Sequence, residues 1–387
     1  MTNSVTTRWQ ALDWLRGLSI IGMLFNLTPG AWDKEYDWMT HVKWEGLHLI
    51  DMVAPAFLFC IGAALPLSLS GRLEKGQSKA GLWRHGLWRA LLLVCIGLFL
   101  NAYPGFDFAH MRIPGVLQKI GLAFALALSL FLVTTRRADD GQPVFAPKTL
   151  AAAFVFILVS HWAWLEFVPV PGFGAPRFDP LGSWPAYIDR NLFTVPHMFI
   201  YWPVNGKVVF DPDGLVNVYT SSANILLGIL TGLAYRSGKV KRPILTAFGA
   251  GVGLMTAGLA LSGVCPIIKN IWTATFVLFS GGFSLVLLAG LSLIAERPKF
   301  GKVLFPLQVY GANPLLAYLI CFLFAPVFDI NWARESGAFV SLRSAGQAAL
   351  SQGLDPYAAS FTFGLIYLVL IFLILWVCYR RRWFLKL

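Results

Sequence analysis

One histidine, one asparagine and a set of ionisable side chains at the ends of long apolar runs are the groups in this sequence that could do chemistry. His41 falls in a short polar loop ahead of an apolar run, where an imidazole with a pKa of about 6.5 can take a proton near neutral pH. Asn26 closes the preceding run and carries an amide able to donate to a carbonyl or to hold a ring. Just beyond His41 come Glu45, His48 and Asp51, three residues apart, a spacing that would place them along part of one helix face. A metal could be held by such a trio, but no other His or Cys has ligand spacing, so no metal is expected. The bland alternative for His41, a solvated loop histidine, is left open by spacing alone.

Further charges sit where charge is costly. Asp13 and Arg16, three apart, permit an ion pair on one helix face. Arg112, Lys119, Glu166 and Lys269 lie within or at the ends of later runs, with Asp189, Arg190 and Asp211 in a long intervening loop. Ionisable groups at membrane depth are functional candidates by default, and salt bridges that merely fix helix ends account for them equally well. Asn313-Pro314 interrupts a late apolar run, either as a plain kink or as a polar group turned into a channel.

The elements that position these groups are transmembrane helices. The 387 residues are 57% hydrophobic and 13% charged, with a mean hydropathy of +0.65, against about 25% charged in soluble domains. Apolar runs of about twenty residues match a hydrocarbon core of about 30 Å, and they lack the alternation of barrel strands. Ten spans are expected: Gln10 to Leu27, Leu47 to Ser70, Leu87 to Tyr103, Ile113 to Thr134, Leu150 to Val168, Val216 to Tyr235, Pro243 to Leu261, Asn270 to Ile294, Val303 to Val327 and Ser360 to Tyr379. The fold class is therefore all-α, a polytopic membrane bundle forming a single domain over 1–387, with long outer loops at about 169–215 and 328–357. No small-residue cleavage site follows Asn26-Leu27-Thr28-Pro29, so the first helix is expected to be retained.

The net charge of +12 reflects topology rather than nucleic-acid binding. Roughly two thirds of the Lys and Arg, from Arg8 and Arg16 to Arg380 and Lys386, fall on one side of the ten-span arrangement, which puts both termini in the cytoplasm. Five cysteines without CxxC spacing indicate neither a zinc site nor a disulfide framework.

Several blocks resemble one family. They are Leu12-Asp13-Trp14-Leu15-Arg16-Gly17, His41 to Gly46, Asp51 to Phe59, Arg112 to Lys119, Asp189-Arg190 with His197, Asp211 to Leu215, Lys269 to Trp272 and Gly311-Ala312-Asn313. In that order they look like the heparan-alpha-glucosaminide N-acetyltransferases. The resemblance implies transfer of an acetyl group from cytoplasmic acetyl-CoA to the amine of a terminal glucosamine-type sugar across the membrane. By position, the family's active-site histidine falls on His41 and its nearby asparagine on Asn26. It also implies a homo-oligomer, a dimer, and for a bacterial-type member residence in the inner membrane.

Chemistry then suggests roles for the rest. Glu45, Asp51, Asp189 and Asp211 suit sugar hydroxyls or an ammonium, and Arg112, Lys119, Arg190 and Lys269 suit anionic groups. Acetyl-CoA phosphates need inside cations, nearest in sequence Arg16, Arg72, Lys75 and Arg84, with Asn313 beside the pantetheine. His41 would be a base or a transient acetyl carrier. Two alternatives are an O-acyltransferase resembling acyltransferase-3, whose histidine at the far end of the first helix is replaced here by Phe25-Asn26-Leu27, and a sugar transporter, which would favour an internal repeat.

Overall fold

The computed structural model describes residues 9–385 apart from 141, 201, 202, 298, 336 and 337, and of 332–335 and 338 the backbone alone. Arg8 and Lys386, counted above among the inside cations, lie outside the described residues. Helices α1 (Gln10–Asn26), α2 (Val53–Glu74), α3 (Lys79–Ala102), α4 (Val116–Thr134) and α5 (Pro147–Phe167) come first. A long connection containing α6 (Trp184–Leu192) leads to α7 (Leu215–Ser237), α8 (Pro243–Ala260) and α9 (Ala274–Ala295). Then follow α10 (Lys299–Val303), α11 (Phe305–Ala312), α12 (Pro314–Asp329), α13 (Leu342–Ser351) and α14 (Pro356–Arg380).

Local chemistry sets these boundaries. Proline opens α5, α8, α12 and α14, where its missing N–H is no loss. Asp355 caps α14 by accepting from the Tyr357 and Ala358 amides. Gly238, at φ +61°, closes α7 in the left-handed conformation that a Cβ disfavours.

Each of the ten predicted spans is helical. Among the described residues eight helices are long and apolar enough to cross a membrane, and α11 with α12 would be a ninth, bent by 84°. The first predicted span, α1, has 17 residues. The chain is an all-α integral membrane protein. The second span opens as a 3-10 turn, Leu49–Met52, before α2. The third begins at Lys79, earlier than hydropathy suggested, because Ser78 caps it and Arg84 and Arg89 ride on its exposed face.

The chain divides into two compact units. One comprises residues up to 41, 48–57 and 287–386. There α1 lies against α11 so closely that a Cβ on Gly17 would come 1.9 Å from the Leu307 carbonyl oxygen. Small residues permit such backbone approach between membrane helices. Gly17→Ala should destabilise the detergent-solubilised protein by about 1–3 kcal/mol or more, since backbone must move to admit the methyl, and a thermal melt reads this directly. In the same unit the buried Arg343 joins the Asp329 carboxylate at 2.6 Å and the Pro29 carbonyl.

The other unit comprises 42–47 and 58–286. Helix α7 is its centre, packed on α4 and α5, and a Cβ on Gly62 of α2 would meet the Ile225 carbonyl of α7 at 1.9 Å. Asn217, Thr220, Ser221, Ser222 and Asn224 of α7 are all buried, a polar stripe inside a membrane bundle. Asn224 accepts from the Trp272 indole at 3.0 Å.

Candidate active site: a histidine-aspartate pair and a separate charge cluster

In the first unit His41 and Asp51 form the centre of interest. The His41 Nδ1 lies 2.6 Å from Asp51 Oδ1, and the Asp51 side chain is fully shielded from solvent while His41 keeps 22% exposure. A carboxylate only accepts, so Nδ1 carries the proton and Nε2 the ring lone pair, the tautomer a general base needs. The second Asp51 oxygen accepts from the His48 amide at 2.9 Å. Held at both oxygens, the carboxylate fixes the plane of the ring. The His48 imidazole donates to the Thr40 carbonyl at 2.7 Å, which braces the residue just before His41. The Asn26 amide, at the end of α1, donates to the Met39 carbonyl at 3.2 Å. Asn26 thus anchors the turn that carries His41.

The structure revises the Glu45, His48, Asp51 expectation. Residues 40–48 are not helical, and Gly46 sits at φ +115°, so the three share no helix face. Glu45 is exposed and pairs by a backbone bridge with Ile268 in the second unit, where the Asn270 side chain also donates to the Lys43 carbonyl. Asp51, expected among sugar-binding groups, instead binds His41 and the His48 amide. Among the described residues no group of three or more His, Cys, Asp or Glu is placed to hold a metal.

The second unit gathers charges far apart in sequence. Arg112 binds Asp211 through two bonds, 2.9 and 2.5 Å, and reaches Asp213 at 3.0 Å. Lys119 lies 2.6 Å from the other Asp213 oxygen and 4.1 Å above the centre of the Trp272 ring. Burial alone would raise the Asp213 pKa, but Lys119 and Arg112 beside it prevail and hold it below the usual carboxylate range, with Lys269 contributing. Asp213 was not singled out in the sequence; its place two residues after Asp211, in a block already notable, was the available signal. These contacts employ Asp211, Arg112 and Lys119 in closing the ends of α4 and α7. Arg190 turns away to the Val209 carbonyl at 2.6 Å.

Asp189 is fully buried, accepts the Leu215 amide at 3.1 Å through one oxygen, and has a second oxygen without a hydrogen-bond partner among the described residues. Burial, then the Asp211 carboxylate, push its pKa up to about 8. A carboxyl whose pKa is raised on folding stabilises the fold at low pH and loses that contribution as pH climbs from about 4 toward about 8. Asp189→Asn, which keeps the acceptor for Leu215, should flatten this part of the melting temperature's dependence on pH. An unchanged slope would show the carboxyl already ionised in the folded protein.

The cations expected near acetyl-CoA are spread. Arg72, Lys75 and Arg84 cluster around the turn joining α2 to α3, with Arg72 bound to Gln77 at 2.8 Å and Lys75 and Arg84 exposed. Arg16, in the first unit, pairs with Asp13. Asn313, expected beside pantetheine, is occupied otherwise: its amide donates to the Trp383 carbonyl at 2.9 Å and its oxygen accepts from Leu385 at 3.1 Å, so it clamps the C-terminal segment where α11 turns into α12.

The family model described as heparan-alpha-glucosaminide N-acetyltransferase, catalytic, matches residues 8–181. Two curated relatives carry the name heparan-alpha-glucosaminide N-acetyltransferase: that of Homo sapiens is 26% identical over 370 residues, and that of Mus musculus 28% over 369. Each alignment covers 85% of this chain and 55% of the relative. Over residues 8–181 the chain is similar to the catalytic region of the heparan-alpha-glucosaminide N-acetyltransferases. It spans about half the length of the curated relatives it matches. Within the family-matched stretch lie Asn26, His41, Asp51, Arg112 and Lys119, and so the histidine-aspartate pair with its anchors, whereas Asp189, Asp211, Lys269 and Asn313 lie beyond it.

Proposed function

We propose that this protein transfers the acetyl group of acetyl-CoA to the amine of a glucosamine-type sugar, with His41 as the reactive base and Asp51 as the group that orients it. The observation that carries this reading is the 2.6 Å contact between His41 and a buried aspartate, inside the stretch that matches the family's catalytic region. A thioester needs little activation beyond alignment, proton removal and stabilisation of the oxyanion. In direct transfer the amine nitrogen attacks the thioester carbonyl, the C–S bond breaks, CoA leaves as the thiolate, and His41 takes the proton released by the nitrogen. In the carrier course Nε2 attacks first, CoA thiolate departs, and the acetyl-imidazole then passes its acetyl group to the amine. Asp51 serves both, because it stabilises the imidazolium of either course.

The proposed orientation has both termini in the cytoplasm of a bacterial cell, with acetyl-CoA entering from the inner face of the inner membrane. Acetyl-CoA carries several negative charges, and Arg72, Lys75 and Arg84 at the α2–α3 turn of the second unit are the proposed contacts for them. The sugar comes from the opposite compartment. A homodimer is the proposed assembly.

Purified protein supplied with acetyl-CoA and glucosamine should release free thiol and form N-acetylglucosamine in equal amounts. Thiol release that never responds to any amino sugar would remove this reading.

A further inference from the structure

The loop that carries His41 lies in the first unit, and side chains from the far end of the chain hold it there. It leaves α1 after Asn26 and returns beside that residue, because the Asn26 amide donates to the Met39 carbonyl at 3.2 Å. Its own backbone bonds, Lys34 to Ala31, Met39 to Tyr36 and Thr40 to Asp37, each span three residues. They shape turns and leave the placement of the whole loop to its neighbours.

Helix α14 supplies that placement. The Gly30 amide donates to the Ser360 carbonyl at 3.2 Å. The buried Ser360 hydroxyl accepts from the Ala31 amide at 3.0 Å and donates to the Ala31 carbonyl at 3.1 Å. A Cβ on Gly30 would come 2.9 Å from Phe363 Cβ and 3.0 Å from Ser360 Cα, so the loop is wedged onto the helix. One residue on, the Phe361 ring meets Phe25 at 5.1 Å, Tyr36 at 6.2 Å and Trp38 at 6.3 Å between centroids. These fall in the range of favourable ring pairs, about 4.5–7 Å. Phe25 immediately precedes Asn26, and Trp38 immediately precedes Met39, so one ring backs both residues whose bond closes the loop. Arg343 of α13 adds a donor to the Pro29 carbonyl.

We propose that Ser360 and Phe361 are positioning residues for His41. The hydroxyl grips the start of the loop, the ring backs the Asn26–Met39 closure, and His41 follows two residues after Met39, where Asp51 takes hold of the imidazole. The inference rests on the acetyltransferase reading and adds to it two residues outside the family-matched stretch 8–181. A misplacement of about 1 Å at a reacting group costs on the order of 10²-fold in rate, so support this close to the base sets the rate without touching substrate.

The test uses the full chain in detergent, with acetyl-CoA and glucosamine as substrates. Phe361→Leu, which stays apolar but loses the ring, should lower kcat at least ten-fold, and Ser360→Ala at least five-fold. The KM for either substrate should stay within two-fold, and Phe361→Tyr, which keeps the ring, should hold kcat within three-fold of wild type. In a His41→Ala background both substitutions should lower the residual rate less than two-fold, since no imidazole is left to misplace, whereas lost folded protein would lower both backgrounds alike. Hydrogen–deuterium exchange should quicken at least ten-fold in peptides spanning residues 36–41 and stay unchanged in α7. Unchanged kcat in both variants, equal fold losses in the two backgrounds, or unchanged exchange at 36–41 overturns the positioning role. Should the wild type transfer to no amino sugar, the acetyltransferase reading falls, and the exchange still decides whether α14 holds the His41 loop.

Discussion

Replacing His41 by Ala is expected to lower acetyl transfer from acetyl-CoA to glucosamine by about 10²- to 10⁴-fold in kcat, the range a positioned general base supplies. The KM for both substrates should change little, because the ring acts on the reacting nitrogen and not on the groups that bind. Asp51→Asn should cost less than His41→Ala but act through the same step. An amide at position 51 can present its NH2 to Nδ1, which favours the tautomer with the lone pair on the wrong nitrogen. It also forfeits the charge that stabilises the imidazolium. Measuring both single variants and the double variant separates the two residues: if they act as one unit, the double variant is hardly slower than His41→Ala alone. A double variant that falls by the product of the two single losses would deny the pair its joint role.

Removing Arg112 is the second large effect. Arg112→Ala strips the buried Asp211 of a two-bond partner and Asp213, whose side chain keeps 10% exposure, of one of its cations. Breaking a buried pair from one side costs about 3–5 kcal/mol, because the remaining charge has nothing to offset its desolvation. The Asp211 carboxylate also receives the Phe199 and Asp213 amides, at 2.9 Å each, so the loss would spread into the loop between α6 and α7. A fall in melting temperature larger than that of any single surface substitution is expected. A variant as stable as wild type, yet inactive, would instead place Arg112 at the substrate.

The transmembrane scaffold was legible because hydropathy is a statement about the solvent of each segment, and every predicted span is helical. Its boundaries failed where chemistry other than hydropathy decides them. Lys79 to Arg89 reads as loop by charge, yet Ser78 caps the helix and the long basic side chains reach outward. The break at Asn313-Pro314 was visible, but its use was not, because the partners of Asn313 lie some seventy residues later in the C-terminal segment.

The site was legible in part for the same reason. His41 and Asn26 stood out by type, place and resemblance. The bond from Asp51 to His41 did not, because the i, i+3, i+6 spacing suggested one helix face where the chain is in fact extended up to His48 and turns only from Leu49. Asp211 and Arg112 are 99 positions apart, and no local pattern joins them.

Proteoliposomes carrying the purified protein, with acetyl-CoA on one side and glucosamine sealed on the other, give the most direct test. The account predicts N-acetylglucosamine in the glucosamine compartment, free CoA in the other, and neither when His41 is Ala. Product formed equally by wild type and His41→Ala, or only when both substrates share one compartment, would contradict it.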